Sequence, residues 1–90
     1  MPYYIIERNY AEQVHNSPDG ARELGLINDE EEVRWLYSFL SVDRRKSYCV
    51  YEAPSPEAIL AAAARAGLPA DVIIEVDAMA MPNGTYAPVS

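Results

Sequence analysis

The chain has 90 residues, 14 acidic against 7 basic side chains, and a formal net charge of −7; such a length makes one small domain that buries roughly 60 to 65% of its unfolded surface. The acidic balance argues against nucleic acid as a partner, because phosphate binding needs clustered Lys and Arg, and Cys49, the single cysteine, excludes an internal disulfide and a cysteine zinc site. No apolar run approaches the ~18 residues that cross a membrane, and the start MPYYIIER lacks the plan of a signal peptide, so a cytoplasmic location is expected.

Tyr3 to Arg8, YYIIER, combines aromatic and β-branched residues with charge and reads as a first strand. Asn9 to Ser17 has no clean period and reads as a loop, with His15 an exposed imidazole in it. Ser17 and Pro18 then form a cap-and-proline start. Ala21, Leu24 and Ile27 recur at helical spacing, which predicts a helix over 18–31, weakened by Gly20 and Gly25. The acidic run Asp29 to Glu32 suits its solvated end, since carboxylates there oppose the helix dipole, and it lacks the turn chemistry of a calcium loop.

Val33 to Val42, VRWLYSFLSV, reads as a strand with Trp35, Tyr37 and Phe39 on one face and Leu36, Leu40 and Val42 on the other. Both faces therefore need a cover. Asp43 to Lys46 turns the chain into a hairpin, and the basic cluster Arg44, Arg45 and Lys46 reads as a solvated loop. Tyr48 to Tyr51 forms the returning strand, with Cys49 as a buried core thiol. Pro54 ends that ladder, Ser55 caps a helix begun by Pro56 and Glu57, and Ala58 to Ala66 continues it to a left-handed Gly67. Ala70 to Met79 supplies a last strand, with Val72, Ile74 and Val76 on one face and Ile73, Glu75, Asp77 and Met79 on the opposite one. From Met81 the sequence has turn residues and no period, so the domain is expected over 1–80 and a tail or arm over 81–90.

Strand, helix, strand, strand, helix, strand implies an α+β fold, the ferredoxin-like βαββαβ arrangement, with an antiparallel sheet and both helices on one face. No third helix is available for the aromatic face. A second copy of the sheet is the economical cover, which predicts a homodimer built as a dimeric α/β barrel.

ERN at Glu7 to Asn9, WLYSF at Trp35 to Phe39, CVYEAPSPEAI at Cys49 to Ile59 and GLPADVIIEV at Gly67 to Val76 together resemble a family of small bacterial proteins without assigned function, one branch of which is described as nickel-binding. The resemblance implies a ferredoxin-like domain, commonly dimeric. Members usually carry His where this chain has Tyr37, and many carry another near Ala62; neither is present here. Nickel and zinc prefer imidazole or thiolate donors, so the residues lead us to expect no cofactor and weak or no specific nickel binding, nickel being what the resemblance alone implies.

Glu7, Tyr37, Tyr51, Glu75 and Asp77 are the polar candidates for the open sheet face. Glu7, Tyr37 and Glu75 would carry acid/base chemistry if apolar walls raise a carboxylate pKa towards neutrality, and Trp35, Tyr37, Tyr51 and Asp77 would line a ligand site. The structural alternative is that the tyrosines pack the dimer interface while Glu7 pairs with Arg8 or Arg34. No nucleophile motif, phosphate loop or dinucleotide fingerprint occurs. The expected function is a dimer that binds a small ligand, or in some relatives a metal ion, in a cavity on the open face. The alternatives are a cofactor-independent enzyme using that cavity and a purely structural dimer with a filled interface.

Overall fold

Alternation along the first strand sets the core. In the computed structural model, which describes residues 1–90, β1 (Tyr3–Asn9) buries Tyr4, Ile6 and Arg8 on one face, with Ile5 exposed and Glu7 half-buried between them. It is paired on both sides, antiparallel to β3 (Lys46–Glu52) and to β4 (Val72–Val76), and β3 in turn pairs with β2 (Arg34–Leu40). The sheet order is β2-β3-β1-β4, with every neighbouring pair antiparallel. A fold of two helices and an antiparallel sheet is α+β.

Both helices begin as their sequences require. Ser17 caps α1 (Pro18–Glu30), its Oγ accepting from the Gly20 amide at 3.1 Å, and Ser55 caps α2 (Pro56–Ala66), accepting from Ala58 at 3.3 Å. Proline at the first helical position removes an amide that has no partner there. Gly67 ends α2 at φ 69°, a left-handed conformation in which a Cβ would be strained. The core combines Tyr4 and Ile6 of β1, Cys49 and Tyr51 of β3 and Ile59 and Ala62 of α2, with Ile27 of α1 packed against it. Burying one such aliphatic side chain contributes about 1.5–3 kcal/mol.

The second strand departs from simple alternation. Trp35 sits opposite Tyr51, yet Tyr37 sits opposite Val50, so Leu36 is an extra residue and the register shifts there. This β-bulge corrects the expectation that Trp35, Tyr37 and Phe39 share a face: an inserted residue inverts the alternation. Trp35 turns towards the helices and packs against the core, while Tyr37 and Phe39 lie on the open face, ring centroids 5.7 Å apart and nearly edge-on at 82°.

The C-terminal region carries two further short strands. The last main-sheet strand stops at Val76, and β5 (Ala78–Ala80) pairs with β6 (Tyr86–Pro88) in a separate hairpin. Beyond it Val89 is buried, its carbonyl accepting from the Tyr37 hydroxyl at 3.4 Å, and Ser90 meets the Tyr3 hydroxyl at 2.8 Å. The chain end therefore returns over part of the open face. No helix is long and apolar enough to cross a membrane.

Candidate functional site

A cavity of about 340 Å³ opens on the helix side of the sheet, between the inward face of β3, the bulged strand β2 and the segment 10–16. α1 contributes Leu24 and the turn after α2 contributes Leu68, so much of the wall is apolar. The segment 10–16 has no periodicity, but it is pinned by the β2–β3 turn. Tyr10 and Val14 donate amide hydrogens to the carbonyls of Arg45 and Arg44 at 2.9 and 2.8 Å, and the Arg45 guanidinium donates to the Ala11 carbonyl at 2.6 Å. A loop held by three such bonds is a fixed wall.

Polar groups meet at one end of this space. The Tyr10 hydroxyl lies 2.8 Å from Ser47 Oγ, which lies 3.5 Å from Cys49 Sγ. Arg8 is 2% exposed; its guanidinium sits 5.8 Å from the Tyr51 ring centroid and donates to the Pro69 carbonyl. Trp35 is fixed by its indole N–H, which donates to Ser38 Oγ at 2.8 Å. Burial pushes the Tyr51 phenol above its ordinary pKa, the charge of Arg8 opposing this. Burial likewise raises Tyr10 against the lowering effect of its bond to Ser47. Both phenols are protonated at neutral pH and remain hydrogen-bond donors.

The residues proposed from the sequence divide between two surfaces. Trp35 and Tyr51 line this cavity from the inward face, and Tyr37, which stands on the open face, borders it only at the edge strand β2, whereas Glu7, Glu75 and Asp77 do not line it. Glu7 lies on the open face opposite Tyr48 and Val72, and Glu75 lies opposite Tyr4 at the far edge of the sheet. Tyr51 and Glu7 fall on opposite faces because β3 residues across from Tyr4 and Glu7 are three apart, an odd separation. The five polar candidates thus do not converge on the open face. Glu7 also forms no ion pair with Arg8 or Arg34: neighbours on a strand point to opposite sides, and Arg34 pairs with Glu52 at 3.7 Å.

Arg8, Tyr10, Ser47 and Cys49 were not among the proposed site residues. For Arg8 a signal existed, since period two along β1 puts it on the inward face with Tyr4 and Ile6. Ser47 has the same relation to Cys49 and Tyr51. Tyr10 had none, because its position depends on its bond to Arg45 in a turn 35 residues later.

The donor set does not suit a resident nickel ion. His15 and Cys49 both line the cavity, but nowhere in the chain do three His, Cys, Asp or Glu side chains come together as a metal-holding group. Tyr37 and Ala62 supply neither imidazole nor thiolate, the donors nickel prefers. Ala62 is instead packed into the core.

Comparison with known proteins shows where the chain stands. The sequence model of the family described as nickel responsive protein SCO4226-like matches residues 4–76. The structure is similar to the crystal structure of SCO4226 from Streptomyces coelicolor A3(2), with a TM-score of 0.63 and 23% identity, covering 82% of this chain and 94% of that one. At that identity the likeness speaks for the fold alone. No curated protein matches the chain significantly. Residues 4–76 include both helices and β1 through β4 but for Tyr3, the frame that carries the cavity, and on this match the chain belongs to the SCO4226-like family of nickel responsive proteins.

Proposed function

We propose that this protein is a homodimeric, ferredoxin-like binding module that holds a small organic molecule in the cavity between its sheet and the segment 10–16. The observation that carries the reading is the cavity itself. At about 340 Å³ it falls at the small end of the roughly 300–1,000 Å³ typical of ligand sites, and an apolar wall with a few convergent polar groups is their usual composition. The element order and the strand order β2-β3-β1-β4 support the ferredoxin-like arrangement. Exposed Ile5, Phe39, Tyr48, Val72 and Ile74 support a second copy seated on the open face, since large apolar patches usually mark interfaces.

Chemistry through a resident metal forms no part of this reading. The nickel response belongs to the family's description, and this chain gathers no donor group of the kind a bound ion requires. Titration with benzyl alcohol, a small neutral aromatic, monitored by amide and indole NMR shifts, tests the cavity. Shifts confined to Trp35, Leu24, Leu68 and their neighbours are expected. Shifts scattered over the surface, or none at millimolar ligand, would sink the proposal.

A further inference from the structure

Four positive side chains of this acidic protein have no carboxylate partner, and all four belong to one end of the molecule. Of the seven Lys and Arg residues, Arg22, Arg34 and Arg65 form the ion pairs, with Asp19, with Glu52 and with Glu30 and Glu31. Arg44 and Arg45 occupy the turn that pins the cavity wall, Lys46 follows them at the start of β3, and Arg8 lies within the cavity lining. Asp43, in the same turn, is engaged with Ser41 Oγ and the Arg45 amide, and Asp71 with the Asn9 amide. No Asp or Glu lines the cavity.

Arg8 is the decisive residue. A buried cation without a counter-charge is costly, and a protein interior normally supplies an acid to it. Here the guanidinium donates to one carbonyl, that of Pro69, and lies over the ring of Tyr51, and its remaining N–H groups have no carboxylate to meet. Beside it stand the hydroxyls of Tyr10 and Ser47, bonded to each other so that one of the two protons is left to donate elsewhere, and the phenol of Tyr51. Donors around a buried positive charge, next to an apolar space, match a molecule with an anionic head and an apolar body. Arg44 and Arg45 of the β2–β3 turn create a local positive field that draws such a molecule in against the net negative charge, whereas the Lys46 ammonium lies 5.9 Å from the Tyr48 ring centroid on the open face.

We infer that the ligand of this cavity is a small organic acid whose carboxylate sits against Arg8, with its apolar or aromatic body against Trp35, Leu24 and Leu40. The inference rests on the cavity reading above and adds the chemical class of the ligand. A planar guanidinium matches a carboxylate with two parallel hydrogen bonds, which a neutral amide cannot reproduce.

The test uses the intact protein and Trp35, the only tryptophan, whose fluorescence reports occupancy. Benzoate, phenylacetate and hexanoate are titrated beside their primary amides and beside inorganic phosphate. Each acid is expected to bind at least tenfold more tightly than its amide, with binding weakened by added salt. Arg8→Lys should retain part of this preference and Arg8→Gln should abolish it; should Arg8→Gln not fold, the acid-to-amide ratio on the parent protein decides. Equal binding of acid and amide overturns the inference and leaves the cavity reading intact. Phosphate binding more tightly than the acids overturns the assignment to carboxylates, and no binding by any probe overturns both readings.

Discussion

Phe39→Thr separates the fold of one protomer from the association of two. Phe39 is 64% exposed in the protomer, opposite Tyr48 on β3 and edge-on to Tyr37. Threonine, being β-branched, suits a strand as the aromatic ring does, so within one protomer the loss is the aromatic edge contact, about 0.5–1.5 kcal/mol and at the low end for so exposed a ring. In a dimer closed on the open face the same ring is buried. Removing a buried aromatic anchor from an interface commonly costs 2 kcal/mol or more, which raises the dimer Kd roughly 30-fold. Sedimentation velocity over a dilution series gives the Kd, and urea unfolding at low concentration gives the protomer term. The expected outcome is a dimeric parent, a variant that dissociates at much higher concentration, and a protomer stability lowered by no more than about 1 kcal/mol. A parent that stays monomeric at its highest soluble concentration, or a variant with unchanged Kd, refutes the reasoning.

Two glycines should respond to alanine with opposite sign. A Cβ at Gly67 or Gly25 meets nothing within 4 Å, but Gly67 is held at φ 69° and Gly25 lies inside α1. Urea denaturation should show Gly67→Ala losing about 1–2 kcal/mol to backbone strain and Gly25→Ala gaining about 0.5–1 kcal/mol; the same sign at both positions would contradict this. Calorimetric titration with nickel should show no submicromolar site, and such an affinity surviving His15→Ala would reveal ligands other than imidazole. Bonds from Ser41 Oγ and the Arg45 amide hold the Asp43 carboxyl below its ordinary value of 3.8. A depressed folded-state pKa stabilises fully above the unfolded value and is lost as pH falls through the folded one, so the β2–β3 turn should loosen only below pH 3.8. An Asp43 midpoint at or above that value, read from the Arg45 amide shift, would refute the assignment.

Much of the architecture is legible residue by residue, because its signals are local. Serine-proline pairs at 17–18 and 55–56 mark both helix starts, Gly67 marks a helix end, and YYIIER and SYCVY mark the two strands that build the centre of the sheet. Each acts through the backbone of its own turn or strand, where a cap, a missing amide or a side-chain period has its effect within a few residues. The expected α+β fold follows from that order. What local signals do not carry is which face each strand residue takes once the register is interrupted. One inserted residue at Leu36 moves Trp35 to the helix side and leaves Tyr37 and Phe39 on the other, and alternation read from the sequence alone is blind to it. The cavity is a tertiary product in the same sense. It exists because the aperiodic segment 10–16 is bonded to a turn 30 to 35 residues away, and the significance of Arg8 lies in the acid it lacks, which is a property of everything folded around it.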